Sequence, residues 1–459
     1  MRSNLLSSSA AMLVALFALP VQAQNVEIID QRLDADRHGY SVIRVWGSHY
    51  EMGYGMGHAL AGDIVQIWDE MMDEYAQYYA QGRALTEMTR WIPEGIEDEL
   101  EGLVDGVRAV VPEADFDATD LKMANIVASD LAYYNGCRSH SCWGQFVAAP
   151  VKTLSTRRLD FGTPFPMALH HVMCAWDPDD GVRWVNMSWP GMVTVVSAVN
   201  AHGTQVSTHD YGMASIFQDA VPRVVATRHV LSAVGDRPVD EHLNWAQQEL
   251  DGMDVATSSF LNYFVPEGLG GVFTCARGGS CGALRTPQTD YFGGDVLMTT
   301  NSQTDGHSTP SGGSFMADYY EAGGIKDLQG HFDLMGTGGL HLLSVEYRGV
   351  EDMTLLAHGR GRSDFIRIDW DELFTPDVGP DGGQTDAGQD DAGQDDAGQT
   401  DAGQDAGIGP ADSDEPGNGG CGCAQGQAPP AAALILIAML AFALRRRSQV
   451  RNHDKRREP

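Results

Sequence analysis

Apolar positions recur at helical spacing through the first third of the chain and give way, past residue 136, to short alternating runs. In 57–81 the residues Leu60, Ile64, Ile67, Trp68, Met71, Met72 and Tyr75 fall on one helical face. The stretch 92–111 repeats the pattern with Ile96, Leu100, Leu103, Val104 and Val107, and 118–134 predicts a third helix behind an Asp-rich capping stretch. Beyond Gly136, strand-like runs at 182–188, 193–199, 204–208, 296–300, 340–347 and 353–357 are separated by Gly, Asp, Asn and Pro turns. Helical spacing returns at 221–234 and 241–249. This order predicts an α+β layered architecture, with a helical segment over 24–136 and a strand-rich segment over 137–375.

The two ends carry different signals. Arg2, the apolar run 10–19 and Val21-Gln22-Ala23 predict a signal peptide over 1–23, removed after Ala23. The run is too short to cross a bilayer as a helix. At the other end, 376–419 is mostly Gly, Asp, Gln and Ala, with a five-residue repeat over 386–405. It cannot bury enough apolar surface to offset its ordering entropy, which predicts an acidic, extended tether. Within 420–459, Cys421-Gly-Cys423 precedes an apolar run at 431–444 and Arg445-Arg446-Arg447. Membrane or cell-surface attachment through the C-terminus is expected, on an exported protein.

The formal net charge is −33. With the tether, the tail after Leu444 and Arg2 set aside, residues 24–375 still carry about −27. So acidic a surface argues against nucleic-acid binding, which depends on Lys and Arg neutralising phosphate. Cys137, Cys142, Cys174, Cys275 and Cys281 make an odd number of cysteines for an exported segment. A Cys275–Cys281 bridge across the Gly-rich TCARGGSC loop is expected, and a Cys142–Cys174 bridge would leave Cys137 as the remaining thiol.

Two motifs hold candidate chemistry. In GSHYEMGYGMG, residues 47–57, the glycines Gly53, Gly55 and Gly57 precede a helix, but G-x-G-x-G is not the dinucleotide fingerprint. Close packing of the helix start against a sheet, where no side chain fits, is the expectation. The second motif is YYNGCRSHSCWGQFVAAPVKTLSTRRLDF, residues 133–161. A cysteine heads a hairpin whose returning strand offers Arg157 and Asp160, the layout of an N-terminal-nucleophile amidohydrolase. A thiol released as a chain terminus has its own α-amine beside it, with a reference pKa of about 7.7–8.0, able to act as general base. An adjacent Arg favours the thiolate. The bland alternative is a hairpin with a disulfide cysteine and a surface ion pair. The histidines His49, His58, His170, His171 and His209 form no zinc spacing, and no G-x-S-x-G elbow is present, so neither a metal nor a cofactor nor a serine nucleophile is expected.

Four motifs stand in the order of a known family: GSHYEMGYGMG, the NGC…WG…TRRLDF hairpin, SAVNAHG at 197–203 and DVLMTTN at 295–301. Over about residues 42–359 the chain resembles the acyl-coenzyme A:isopenicillin-N acyltransferase-like family. That family consists of autoproteolytic cysteine N-terminal-nucleophile (Ntn) enzymes related to penicillin V acylase, bile-salt hydrolase and acid ceramidase. The resemblance implies a four-layer αββα sandwich and self-cleavage after Gly136. It implies Cys137 as nucleophile, Arg157 and Asp160 as the Arg and Asp of an R-N-x-D element, and Asn301 as an oxyanion donor. His209 or Asp210 falls where relatives place a second polar contact. Cys142 is the alternative nucleophile, giving a shorter hairpin, whereas Cys137 follows a glycine and brings Trp143-Gly144 into line with the W-G of longer members. Arg158 stands where relatives have Asn, and Arg138 follows the cysteine where Ser or Thr is usual. The C-terminal Cys motif, apolar run and Arg cluster likewise resemble the myxobacterial C-terminal sorting signal, which implies surface display. A small-molecule amide or N-acyl substrate is the implied partner. The rival readings are a catalytically inactive surface-displayed binding or adhesion protein on the same fold and an uncleaved hydrolase.

Overall fold

The computed structural model describes residues 25–92, 95–126, 130, 137–159, 169–210, 216–289, 294–301, 323, 327–335, 340–349, 352–359 and 364–375. Gly136, Asp160, both apolar runs at the termini and the acidic repeat lie outside the described residues. Among the described residues no helix is long and apolar enough to cross a membrane.

The chain opens with strands β1 (Val26–Leu33) and β2 (Gly39–Gly47), followed by helices α1 (His49–Ala59), α2 (Ala61–Tyr75), α3 (Tyr79–Thr86), α4 (Ile96–Val110) and α5 (Ala118–Ile126). Then come β3 (Arg138–Trp143), β4 (Thr153–Leu159), β5 (His170–Pro178), β6 (Trp184–Ser188), β7 (Ser197–Asn200) and β8 (Gln205–Asp210). Helices α6 (Arg223–Ser232) and α7 (His242–Asp251) lead to β9 (Ser259–Phe264), β10 (Gly271–Cys275), β11 (Cys281–Arg285) and β12 (Val296–Thr300). Helix α8 (Leu328–Met335), β13 (His341–Gly349), β14 (Asp352–Gly359), β15 (Ile366–Asp369) and α9 (Trp370–Phe374) complete it. One sheet has nine strands in the order β1-β2-β5-β6-β7-β8-β9-β10-β11, and the other has six in the order β12-β3-β4-β13-β14-β15. The architecture is therefore mixed α+β with two sheets.

Side-chain parity sorts the core into layers. In β2, Ile43 and Val45 face the helical layer, while Tyr40 and Val42 face the second sheet. In β5, Cys174 and Trp176 join the helix side and Met173 and Ala175 the side between the sheets. A third cluster, with Cys142, Leu154, Phe332 and Leu356, fills the space between the far face of the six-stranded sheet and α8.

Several expectations need correction. The segment 24–136 is not helical throughout, because β1 and β2 add the first edge of the nine-stranded sheet. The first helix begins at His49, where Ser48 forms a capping box with Glu51, rather than at residue 57, and it breaks at Leu60. The strand expected at 193–199 starts at Ser197, since Val193 and Thr194 instead donate backbone N–H groups to Asn125 Oδ1. The Cys275–Cys281 bridge is present, but Cys142 and Cys174 are both thiols. They point to opposite outer faces of the two-sheet stack, and sheets pack about 10 Å apart, beyond the span of a disulfide.

The glycine motif packs differently from its expectation too. A Cβ on Gly53 would lie 2.0 Å from the Glu99 carbonyl oxygen and one on Gly57 2.2 Å from that of Leu103. In return, Gly102 and Gly106 of α4 meet the carbonyls of Tyr50 and Tyr54 at 2.1 and 2.2 Å. Two pairs of glycines thus let α1 and α4 touch backbone to backbone. Only Gly55 faces the sheet edge, at Asn25 and Val26. Gly57→Ala is expected to destabilise the fold by about 2 kcal/mol, as overpacking does. Gly282→Ala, with nothing within 4 Å of the added Cβ, is expected to change stability by less than about 0.5 kcal/mol. Urea unfolding of the two variants checks the difference.

Candidate active site

Cys137 immediately precedes β3, which lies between β12 and β4. Arg138 pairs with Thr300 on one side and Arg158 on the other, so Asn301 comes level with Cys137. Parity then selects the face. Ser139 and Ser141 of β3 and Ser155 and Arg157 of β4 point between the sheets, toward β8. Cys142, Thr156 and Arg158 point the other way, toward α8. Cys137 and Cys142 are an odd number of residues apart and so occupy opposite faces.

Between the sheets, Arg157 Nη2 donates to Cys137 Sγ at 3.3 Å and to the Thr208 carbonyl at 2.8 Å. Arg157 Nη1 donates to the Arg158 carbonyl. Arg157 is 1% exposed, and Cys137 is fully buried and remains a thiol. Among the described residues no carboxylate is ion-paired with Arg157. A buried cation beside a thiol lowers the cost of ionising that thiol. The geometry therefore pairs a thiol with a cation on the face between the sheets.

His209 borders the same site. Its Nε2 is 2.8 Å from Ser139 Oγ and 3.3 Å from Ser207 Oγ. Burial, then the charge of Arg157, holds the imidazole well below its ordinary pKa, while interactions with the Cys137 backbone and the Asn301 side chain oppose that shift. Asp210, one residue on, points to the opposite face and pairs with Arg223 at the start of α6. Of the two alternatives for a second polar contact, His209 is the one on the Cys137 side. Cys142 Sγ sits 3.7 Å from His331 Nε2, in the layer under α8 and away from Arg157. Asp160 and Gly136 lie outside the described residues. A cavity of 330 Å³ is bordered by Lys152, Asp240, Tyr347 and Gly349 and by none of these site residues.

Sequence reasoning missed Ser139, Ser207 and His341. His341 begins β13, lies 3.4 Å from Ser197 Oγ, and is held well below its ordinary pKa by burial and by Arg157. The available signal was small polar residues at alternate positions, Ser139 and Ser141, then Gln205, Ser207 and His209. In a buried strand such a row marks a polar face.

No family model matches the chain. A 199-residue match at 27% identity to an uncharacterized protein of Archaeoglobus fulgidus covers 37% of this chain and 32% of that protein. The chain thus spans about a third of the length of the curated relative it matches. Among solved structures, it is similar to a Caenorhabditis elegans N-acylethanolamine-hydrolyzing acid amidase ortholog, with a TM-score of 0.35, 10% identity, and coverage of 45% of this chain and 92% of that one. It is similar as well to a mutant conjugated bile acid hydrolase from Clostridium perfringens, with a TM-score of 0.35, 8% identity, and coverage of 51% and 93%.

Buried neutral histidines weaken the fold in acid. His209, His331 and His341 are held well below their ordinary pKa and His140 is pushed down to about 3, burial being the first cause in each. A folded pKa below the unfolded value of about 6.5 means that the unfolded chain binds more protons between the two. The contribution of these four histidines is therefore complete above pH 6.5 and falls as the pH drops below it. Urea midpoints should decline steadily from pH 6.5 to pH 4. His140→Phe should flatten that decline by about 1.4 kcal/mol per pH unit, the contribution of one proton.

Proposed function

We propose that the protein is a cysteine N-terminal-nucleophile amidohydrolase or acyltransferase, with Cys137 as nucleophile, acting on an amide-linked acyl group. The observation that carries this reading is the 3.3 Å approach of the buried Arg157 guanidinium to the Cys137 thiol, on the face shared with His209. Cys142 lacks that neighbour because it faces the other way.

In the proposed sequence, the Cys137 thiol attacks the Gly136 carbonyl carbon. The Gly136–Cys137 C–N bond breaks, leaving a thioester and a free α-amine on Cys137. Water hydrolyses the thioester, giving a carboxylate on Gly136 and a chain that begins with Cys137. The new α-amine then takes the thiol proton, and the thiolate, favoured by Arg157, attacks the substrate carbonyl. The Asn301 side-chain amide and a backbone N–H stabilise the oxyanion, worth roughly 3–4 kcal/mol per donor in such sites. Collapse expels the amine, which leaves with the proton from the α-ammonium. Water or an acceptor amine resolves the acyl-enzyme. His209, neutral and beside the Cys137 backbone, serves as a positioning residue. Export through 1–23 and attachment through 420–459 belong to the same proposal and rest on the sequence of the two ends alone.

Mass spectrometry of the purified protein should find two fragments, the second beginning at Cys137. Cys137→Ala should remain one chain and inactive, whereas Cys142→Ala should be processed and active. A processed, active Cys137→Ala would refute the assignment. With N-acyl amino acids, lactams and acyl-homoserine lactones as test substrates, Asn301→Ala should lower kcat by about 10²–10³-fold, the usual loss for one oxyanion donor.

A further inference from the structure

Three side chains distant in sequence meet where β1 turns into β2. His38 closes that turn, Glu70 lies on α2 and His170 is the first residue of β5. The parallel pairing of β2 with β5 sets Gly39 level with His170, which brings the two histidines side by side. One ligand-type atom from each of the three residues lies within 4.8 Å of the other two. His170 Nε2 is 4.0 Å from Glu70 Oε1, and the rings of His38 and His170 meet edge-on at 5.1 Å between centroids.

His170 is the decisive member. Its side chain is 1% exposed, yet among the described residues neither Nδ1 nor Nε2 has a hydrogen-bond partner. Leaving a buried polar atom unsatisfied costs about 1–3 kcal/mol, so the position calls for a partner that the described residues do not supply. The ring faces a second imidazole and a carboxylate, and the charges of Asp63 and Arg37, themselves paired with each other, also act on it. The 4.0 Å separation from Glu70 is too long for a hydrogen bond. Two ligands held at 2.0–2.2 Å from a tetrahedral cation stand about 3.3 Å apart. Glu70, whose side chain is 38% exposed, can close that difference by a small side-chain movement. Its Oε1 also accepts from Gln66 Nε2 at 3.0 Å, which orients the carboxylate. Asp34 and Asp36, grouped with His38 at the same turn, add negative potential that draws a cation.

We propose that His38, Glu70 and His170 form a binding site for a divalent transition-metal cation that ties the β1–β2 turn to α2 and β5. Two imidazoles and one carboxylate with an open fourth position make a donor set suited to zinc. No sequence spacing reveals it, because the ligands stand at positions 38, 70 and 170. A cation bound only by the folded state adds stability that grows with its concentration. Here it would fasten the edge ribbon of the nine-stranded sheet to the body of the fold.

The test uses the full chain, stripped with a chelator and titrated with zinc sulfate by calorimetry, with Tm followed in parallel. One equivalent of zinc should bind and raise the Tm. Glu70→Gln and His38→Asn, at partly exposed positions that tolerate substitution, should each weaken binding at least tenfold and abolish the Tm rise. His170→Ala should do the same where it folds, and the other two variants decide the matter where it does not. Absence of zinc binding to the parent protein would overturn the proposal. So would undiminished binding in either Glu70→Gln or His38→Asn, which would place the metal on other ligands, such as Cys421 and Cys423.

Discussion

Arg157 is a cation sealed between two β-sheets, and much of the surrounding structure answers the need to solvate it. A buried guanidinium is tolerated only where acceptors are supplied. Here they are the carbonyls of Thr208 and Arg158 and the sulfur of Cys137. The space between the sheets is divided accordingly. One part is apolar, with Tyr40, Met173, Val185, Leu343 and Val345 in contact. The other is lined by Ser139, Ser155, Gln205, Ser207 and His209, which bond to one another across the gap. A polar network of this kind ties one sheet to the other in a single register, since slipping one strand by a residue would turn its whole polar row out of the gap.

A second buried cation offers a contrast. Arg228 of α6 reaches Glu99 of α4 through both guanidinium nitrogens, and His49 Nδ1 lies 2.7 Å from the same carboxylate. The guanidinium also stands over the stacked rings of Trp176 and Trp184. That pair joins three helices to the nine-stranded sheet, and its charge is balanced by a carboxylate. Around Arg157 the nearby acidic function among the described residues is the thiol. The difference separates a cation paired with a carboxylate from a cation hydrogen-bonded to a thiol and to backbone carbonyls.

Much of this was legible in the sequence. The helices α4 and α7 follow the apolar periodicity because each buries one stripe, whereas α6, β12, β13 and β14 are buried nearly throughout and stand out as apolar runs between turns. β1 escaped notice because it is an edge strand with only partly buried side chains, so its apolar residues do not alternate cleanly. Gly53 and Gly57 of α1 are close-packing positions whose partner is α4 rather than the expected sheet, since a small residue announces proximity without saying to what. The bridge expected between Cys142 and Cys174 failed for a reason that parity cannot supply. Each faces an outer layer, but only the stacking order of the sheets shows that those layers lie on opposite sides of the molecule.

The chain's own periodicity determined which segments become helices and strands and, by the two-residue repeat, that Cys137 and Cys142 face opposite ways. That information is local, fixed by backbone geometry within each element. Which face meets the second sheet was decided only by tertiary structure. So was the meeting of residues 137, 157 and 209 on one face between the sheets, and of residues 38, 70 and 170 at one turn. Such convergence depends on strand pairing and sheet stacking between segments far apart in the chain, and no local pattern encodes those distances.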